Sequence, residues 1–196
     1  MSMFTISGAP TIEEGDMELI FSTTLTSAAP TISTGTLATG YKSLLIRGRL
    51  RCDLNSQSVS AILDFNSDTN ANNYECTRLL YNGSSIGGAH FTGVHSSITP
   101  FGFSMMFANI PAGTATANRW AHVEITIIGH EDTDKYKNWA SFSSGMPTTV
   151  NRWQQNVGGV WSNTDAITQI RLHSSPQTSG AASWIAGSKV QVYGLK

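Results

Sequence analysis

Trp120-Ala-His-Val-Glu-Ile-Thr-Ile-Ile128 is the segment on which the fold turns. Ala121, Val123, Ile125 and Ile127 share one face, while His122, Glu124 and Thr126 share the other. That two-residue period is the signature of a strand with an apolar side facing inward and a polar side facing out. Moving outward from it, the same period recurs. Val59, Ala61, Leu63 and Phe65 fall together, opposite Ser60, Ile62 and Asp64. A strand from Tyr74 to Tyr81 ends at Asn82-Gly83, a strong hairpin signal.

Four further strands are predicted: Met17 to Leu25, Leu44 to Cys52, Ile167 to His173, and Trp184 to Leu195. In the last, Val190 and Val192 oppose Lys189, Gln191 and Tyr193. Turn-forming stretches separate the strands, notably Asn66-Ser-Asp-Thr-Asn-Ala-Asn-Asn73 and Ser174-Ser-Pro-Gln-Thr-Ser-Gly180. Gly87-Gly88 and Gly158-Gly159 read as turn glycines, and residues 131–165 as loop-rich. No window of about 11 residues carries a helical stripe. Roughly eight to ten strands without a helix predict an all-β, antiparallel β-sandwich, jelly-roll-like.

Composition narrows the function. Of 196 residues, 13% are charged, about half the usual share, and the formal net charge is −1. Ser, Thr and Asn make up roughly 30% of the chain, so hydroxyls and amides supply the polar surface. The scattered cations offer no footprint for nucleic acid, and no apolar run approaches the ~18 residues of a membrane span. Met1-Ser-Met-Phe-Thr-Ile-Ser has no basic segment followed by an apolar one, so no secretory signal is expected. Cys52 and Cys76 both fall in predicted strands and read as small buried apolar residues.

Reactive chemistry finds little support. Asp64, Asn66, Asp68, Asn70, Asn72 and Glu75 have calcium-loop spacing, but Thr69 stands where such a loop needs glycine and no helices flank it. No metal or cofactor is expected. His90 and His95 lie five apart, on opposite faces of a regular strand. His130-Glu131-Asp132-Thr-Asp134 reads as a solvated loop. Neither a nucleophile motif nor a phosphate-cradling glycine loop occurs, so no catalytic residue is assigned. The tryptophans are the better lead. Tyr136, Trp139, Arg152, Trp153, Gln154 and Trp161 combine aromatic rings with amides and a guanidinium. Such groups suit a glycan, because sugar C–H bonds stack on rings while amides bond hydroxyls.

A set of short motifs runs in order through the chain. They are Arg47-Gly48, Phe65-Asn66-Ser67-Asp68, Tyr81-Asn82-Gly83-Ser84-Ser85, Ala115-Thr-Ala-Asn118 and Lys135-Tyr-Lys137. Trp161-Ser-Asn-Thr-Asp-Ala-Ile167, Ala186-Gly-Ser-Lys189 and Tyr193-Gly-Leu195 follow. Over residues 41–196 this series resembles a family of small bacteriophage virion proteins. The resemblance implies a jelly-roll-like, non-enzymatic structural protein on a phage particle, as tail fibre, head fibre or capsid decoration. It implies capsid, portal or tail proteins as partners and self-assembly into a homo-oligomer, with a trimer expected. Synthesis in the host cytoplasm and residence in the virion follow from it. Residues 1–40 lie outside the resemblance and are expected to form an N-terminal arm or edge segment that carries particle attachment.

Overall fold

The computed structural model describes residues 16–83, 85–92, 105–148, 152–174 and 182–196. Residues 1–15, His95, Asn151 and all of the 174–180 connection but Ser174 lie outside that set. The strands expected from alternation are present, with others among them. In the first half they are β1 (Met17–Thr24), β2 (Thr31–Ser33), β3 (Ser43–Leu50), β4 (Ser58–Phe65), β5 (Tyr74–Asn82) and β6 (Ser85–Thr92). In the second half they are β7 (Met106–Pro111), β8 (Ala121–Ile128), β9 (Lys137–Gly145), β10 (Trp153–Trp161), β11 (Ile170–His173) and β12 (Lys189–Leu195). One 3₁₀ turn, Ala71–Asn73, precedes β5.

Two antiparallel sheets pack face to face. The larger has the order β1-β12-β3-β8-β9-β10-β5-β6, and the smaller β2-β11-β4-β7. Eight strands make the framework: β1, β12, β3 and β8 in one layer, with β2, β11, β4 and β7 in the other. Along the chain these strands alternate between layers, except that β4 and β7 are neighbours in one sheet. That connectivity is two interlocked Greek keys, a jelly roll. Two hairpins are inserted into it, β5–β6 after β4 and β9–β10 after β8. They pair through β10 and β5 and extend the larger sheet beyond β8.

The core lies between the layers. Leu44, Ile46, Val123, Ile125, Ile127, Val190 and Val192 point into it from the larger sheet, and Ala61, Leu63, Phe65, Met106, Ile110 and Leu172 from the smaller. The other face of β4 is also covered, since Ile62 and Asp64 are fully buried. Both cysteines are buried, and burial pushes the Cys52 thiol to about 11 and Cys76 to about 12. Thiols held that far from ionisation are unreactive.

Three expectations need correction. First, residues 16–40 supply edge strands, as the edge-segment alternative expects, but these strands belong to the jelly roll itself and do not form a unit beside it. β1 pairs with β12 at one edge of the larger sheet and β2 pairs with β11 at the edge of the smaller, so a boundary at residue 40 would cut both layers. Second, the loop-rich stretch 131–165 contains β9 and β10. Third, Gly87-Gly88 and Gly158-Gly159 lie inside β6 and β10 and not at turns. Gly159 has a packing role: a Cβ there would sit 2.2 Å from Cε2 of Trp139.

The Tyr193-Gly194-Leu195 ending has a similar explanation. Gly194 leaves room for the buried ring of Tyr41, whose Cδ1 would lie 2.3 Å from an added Cβ. Gly194→Ala is expected to lower stability by about 1–3 kcal/mol, the usual penalty for overpacking. Urea unfolding checks this. In a Tyr41→Ala background the added penalty should largely disappear, because the clashing ring is gone.

Candidate functional site

The six residues proposed as a glycan platform do not form one surface. Trp153, Gln155, Val157, Gly159 and Trp161 take the inward positions of β10, as Trp139 does on β9, because even spacing along a strand keeps side chains on one face. Trp139, Trp153 and Trp161 are therefore buried, at 3%, 6% and 0% exposure. Their faces serve the sandwich and are not available to stack on a sugar. Tyr136 is exposed, but it precedes β9 at the end of the strand away from Gly145. At ~3.4 Å per residue that end lies roughly 27 Å from the β9–β10 turn.

Trp161 is a core strut. Its ring meets Phe65 edge-on at 5.6 Å and stacks with Tyr74 at 6.4 Å, while its Nε1 donates to Asp68 Oδ2 at 2.8 Å. The Tyr74 hydroxyl donates to the Asp68 carbonyl, and Asn66 Oδ1 accepts from the Thr168 and Gln169 amides. The Phe65–Asp68 and Trp161–Ile167 motifs, far apart in sequence, are thus one bonded corner of the fold. The calcium-loop spacing dissolves in the same bonds. Asp64 is buried against Arg171 and His173, and both Asp68 carboxylate oxygens accept protein donors. Among the described residues no three His, Cys, Asp or Glu side chains gather to hold a metal.

Arg152, Trp153 and Gln154 do meet in a groove, with partners the sequence did not single out. His122, Ser144, Gln154 and Tyr81 are consecutive cross-strand partners on β8, β9, β10 and β5, and all face outward. They form a straight polar row across four strands, about 14 Å long at ~4.8 Å per strand. Asn118, Arg119, Trp120, Met146, Arg152 and Trp153 line the rest of the groove. The open groove offers about 580 Å³, within the range of small-molecule sites.

The walls are held in place. Arg49 lies over the Trp120 ring at 5.0 Å from its centroid, and Gly187 passes close to the rim of the same indole. Trp153 donates Nε1 to the Asn109 carbonyl at 3.2 Å, so only an edge of its ring borders the groove. The Tyr81 hydroxyl donates to the Gly83 carbonyl, fixing the ring beside the β5–β6 turn. Apolar surface with a few fixed polar groups is the usual makeup of a binding site. The outward direction of His122 was legible from its strand. Its alignment with Tyr81 was not, because β5 reaches β10 only through a long-range pairing.

The His130–Asp134 stretch divides. Glu131, Asp132 and Asp134 are at least partly exposed, as a solvated loop requires, whereas His130 is 1% exposed and neither ring nitrogen makes a hydrogen bond. Burial of the imidazole outweighs the nearby Glu131 and Asp132 charges and lowers its pKa below the ordinary value. The unfolded chain then binds a proton that the folded chain resists. His130 therefore leaves stability intact above about pH 6.5 and lowers it as pH falls through that value towards the folded-state pKa. Melting temperatures between about pH 8 and pH 5 should fall more steeply for the native chain than for His130→Gln. Parallel profiles would exclude a neutral buried His130.

No family model matches the chain, and no curated protein matches it.

Proposed function

We propose that the chain is a non-enzymatic bacteriophage virion protein, displayed on the particle as a fibre or decoration component. The jelly-roll connectivity carries this reading, since that architecture recurs in capsid and lectin domains. The ordered motifs support it through their resemblance, and several of them have structural tasks in this chain. Asn82-Gly83 enters the β5–β6 turn, Gly194 seats Tyr41, and Phe65–Asp68 is braced against Trp161. A surface rich in hydroxyls and poor in charge suits close packing between copies, since few ions must be desolvated. Assembly as a homo-oligomer, a trimer in the first instance, follows on this reading, with capsid, portal or tail proteins as neighbours.

The test is peptide mass spectrometry of gradient-purified particles from the phage that encodes the chain. The expected result is its presence at a fixed ratio to the major capsid protein. Absence from particles that retain full infectivity would refute the reading.

A second reading is recognition of a host-surface glycan. The groove favours it by placing Trp120 and Tyr81 beside the amide of Gln154 and the guanidinium groups of Arg119 and Arg152. The two readings are compatible in a receptor-binding tip.

A further inference from the structure

The arginines divide by what they bind. Arg47 pairs with Glu124 at 3.0 Å and Arg171 with Asp64 at 2.8 Å. Arg49 donates to the Gly187 carbonyl while covering Trp120. Arg51 is buried and donates to the carbonyls of Ala112, Ala115, Thr116 and Arg119. Arg78 lies over the Phe91 ring and reaches the Met106 sulfur. Arg119 and Arg152 remain, and their guanidinium groups have no partner among the described residues. Both line the groove, and no described carboxylate lines it with them. Two unpaired forks lining one concave surface suit an anion.

The rest of the lining selects which anion. The Trp120 and Tyr81 rings offer apolar area, and Gln154, Asn118 and Ser144 offer donors and acceptors suited to hydroxyls. A nucleic acid would need a wider basic footprint than two arginines in a chain of net charge −1. A planar fork matches a carboxylate through paired hydrogen bonds. A floor spanning four strands accommodates several linked sugar rings.

We infer that this groove binds an acidic saccharide, with Arg119 and Arg152 on its carboxylate and Trp120 and Tyr81 against its rings. The inference rests on the glycan-recognition reading and narrows it to sugars bearing carboxylates.

Calorimetric titration of the full chain tests this, using sialyllactose and a polyuronate oligomer, with lactose and the carboxyl-reduced oligomer as neutral controls. The expected result is a dissociation constant of about 1 mM or tighter for one acidic probe, with the neutral counterpart at least roughly 10-fold weaker. Arg119→Gln and Arg152→Gln should each weaken binding about 10-fold, the scale of one charge-assisted hydrogen bond. Arg152→Lys should recover only part, because an ammonium lacks the fork. Melting temperatures of these variants should match the native chain, which separates lost binding from lost folding. Equal affinity for acidic and neutral probes would overturn the inference while leaving glycan recognition standing. No binding to any saccharide would overturn both. Tighter binding of a single-stranded DNA oligomer than of any saccharide would also overturn the inference.

Discussion

Trp161→Ala is expected to destabilise the protein by about 3–5 kcal/mol, the range for deleting a large aromatic ring from a core. For a chain of this size the melting temperature should fall by roughly 6–20 °C. The magnitude follows from the ring's surroundings. Trp161 has no exposed surface, fills the angle between Phe65 and Tyr74, and gives its one donor to Asp68. Truncation removes that packing and leaves an acceptor of the Phe65–Asp68 corner without its indole donor. Trp161→Phe should recover much of the volume and lose the bond, giving an intermediate value. Trp120→Ala is the control. Its indole is half-buried at the groove, so its removal should change stability far less while abolishing saccharide binding. Equal stability of native and Trp161→Ala chains would mean that the ring is not the strut the geometry describes.

Asp64→Ala is expected to have a comparable effect. The carboxylate is fully buried on β4, accepts from Arg171 Nε at 2.8 Å and sits 2.5 Å from His173 Nε2, both on β11. His173 Nδ1 is in turn 3.0 Å from the Thr31 hydroxyl on β2. One charged chain of contacts therefore ties three of the four strands in the smaller sheet. Removing the carboxylate leaves the Arg171 charge partly buried without its partner, a loss of about 3–5 kcal/mol for such pairs. Replacing the charges together should cost less than removing one. Asp64→Leu combined with Arg171→Met and His173→Leu should recover a large part of the loss, since no unpaired charge then remains. Urea unfolding of the single and triple variants measures both. If the triple variant is as unstable as Asp64→Ala, the loss comes from shape and not from the stranded charge.

How much of this was legible in the sequence depends on what each strand turns inward. β8 and β12 were read correctly because their buried positions are aliphatic: Val123, Ile125 and Ile127 on one, Val190 and Val192 on the other. β9 and β10 escaped because theirs are mixed. Lys137, Ser141, Ser143 and Gln155 all face inward, with Ser143 directly opposite Gln155, and the outward positions include Phe142. Lys137 can do so because its ammonium donates to the carbonyls of Lys135 and Thr164. With polar groups inside and an aromatic outside, hydrophobic alternation carries no signal.

The same inversion explains the tryptophans. Amides flanking Trp153 suggested an exposed platform, yet Gln154 and Asn156 are its outward strand neighbours and the indole turns in. Arg152 and Gln154, polar and exposed, line the groove. Their companions Tyr81 and His122 lie on strands whose alignment is decided by the insertion of two hairpins into a jelly roll. That pairing is a property of topology and is not visible in any single segment.

The most direct test of the proposed virion role is an electron cryomicroscopy reconstruction of particles of the phage that would encode the chain. The expected result is the jelly roll on the exterior, in several symmetry-related copies, with the Trp120–Arg152 groove turned to solvent. A particle lacking this density, or one in which a neighbouring subunit fills the groove, would contradict it.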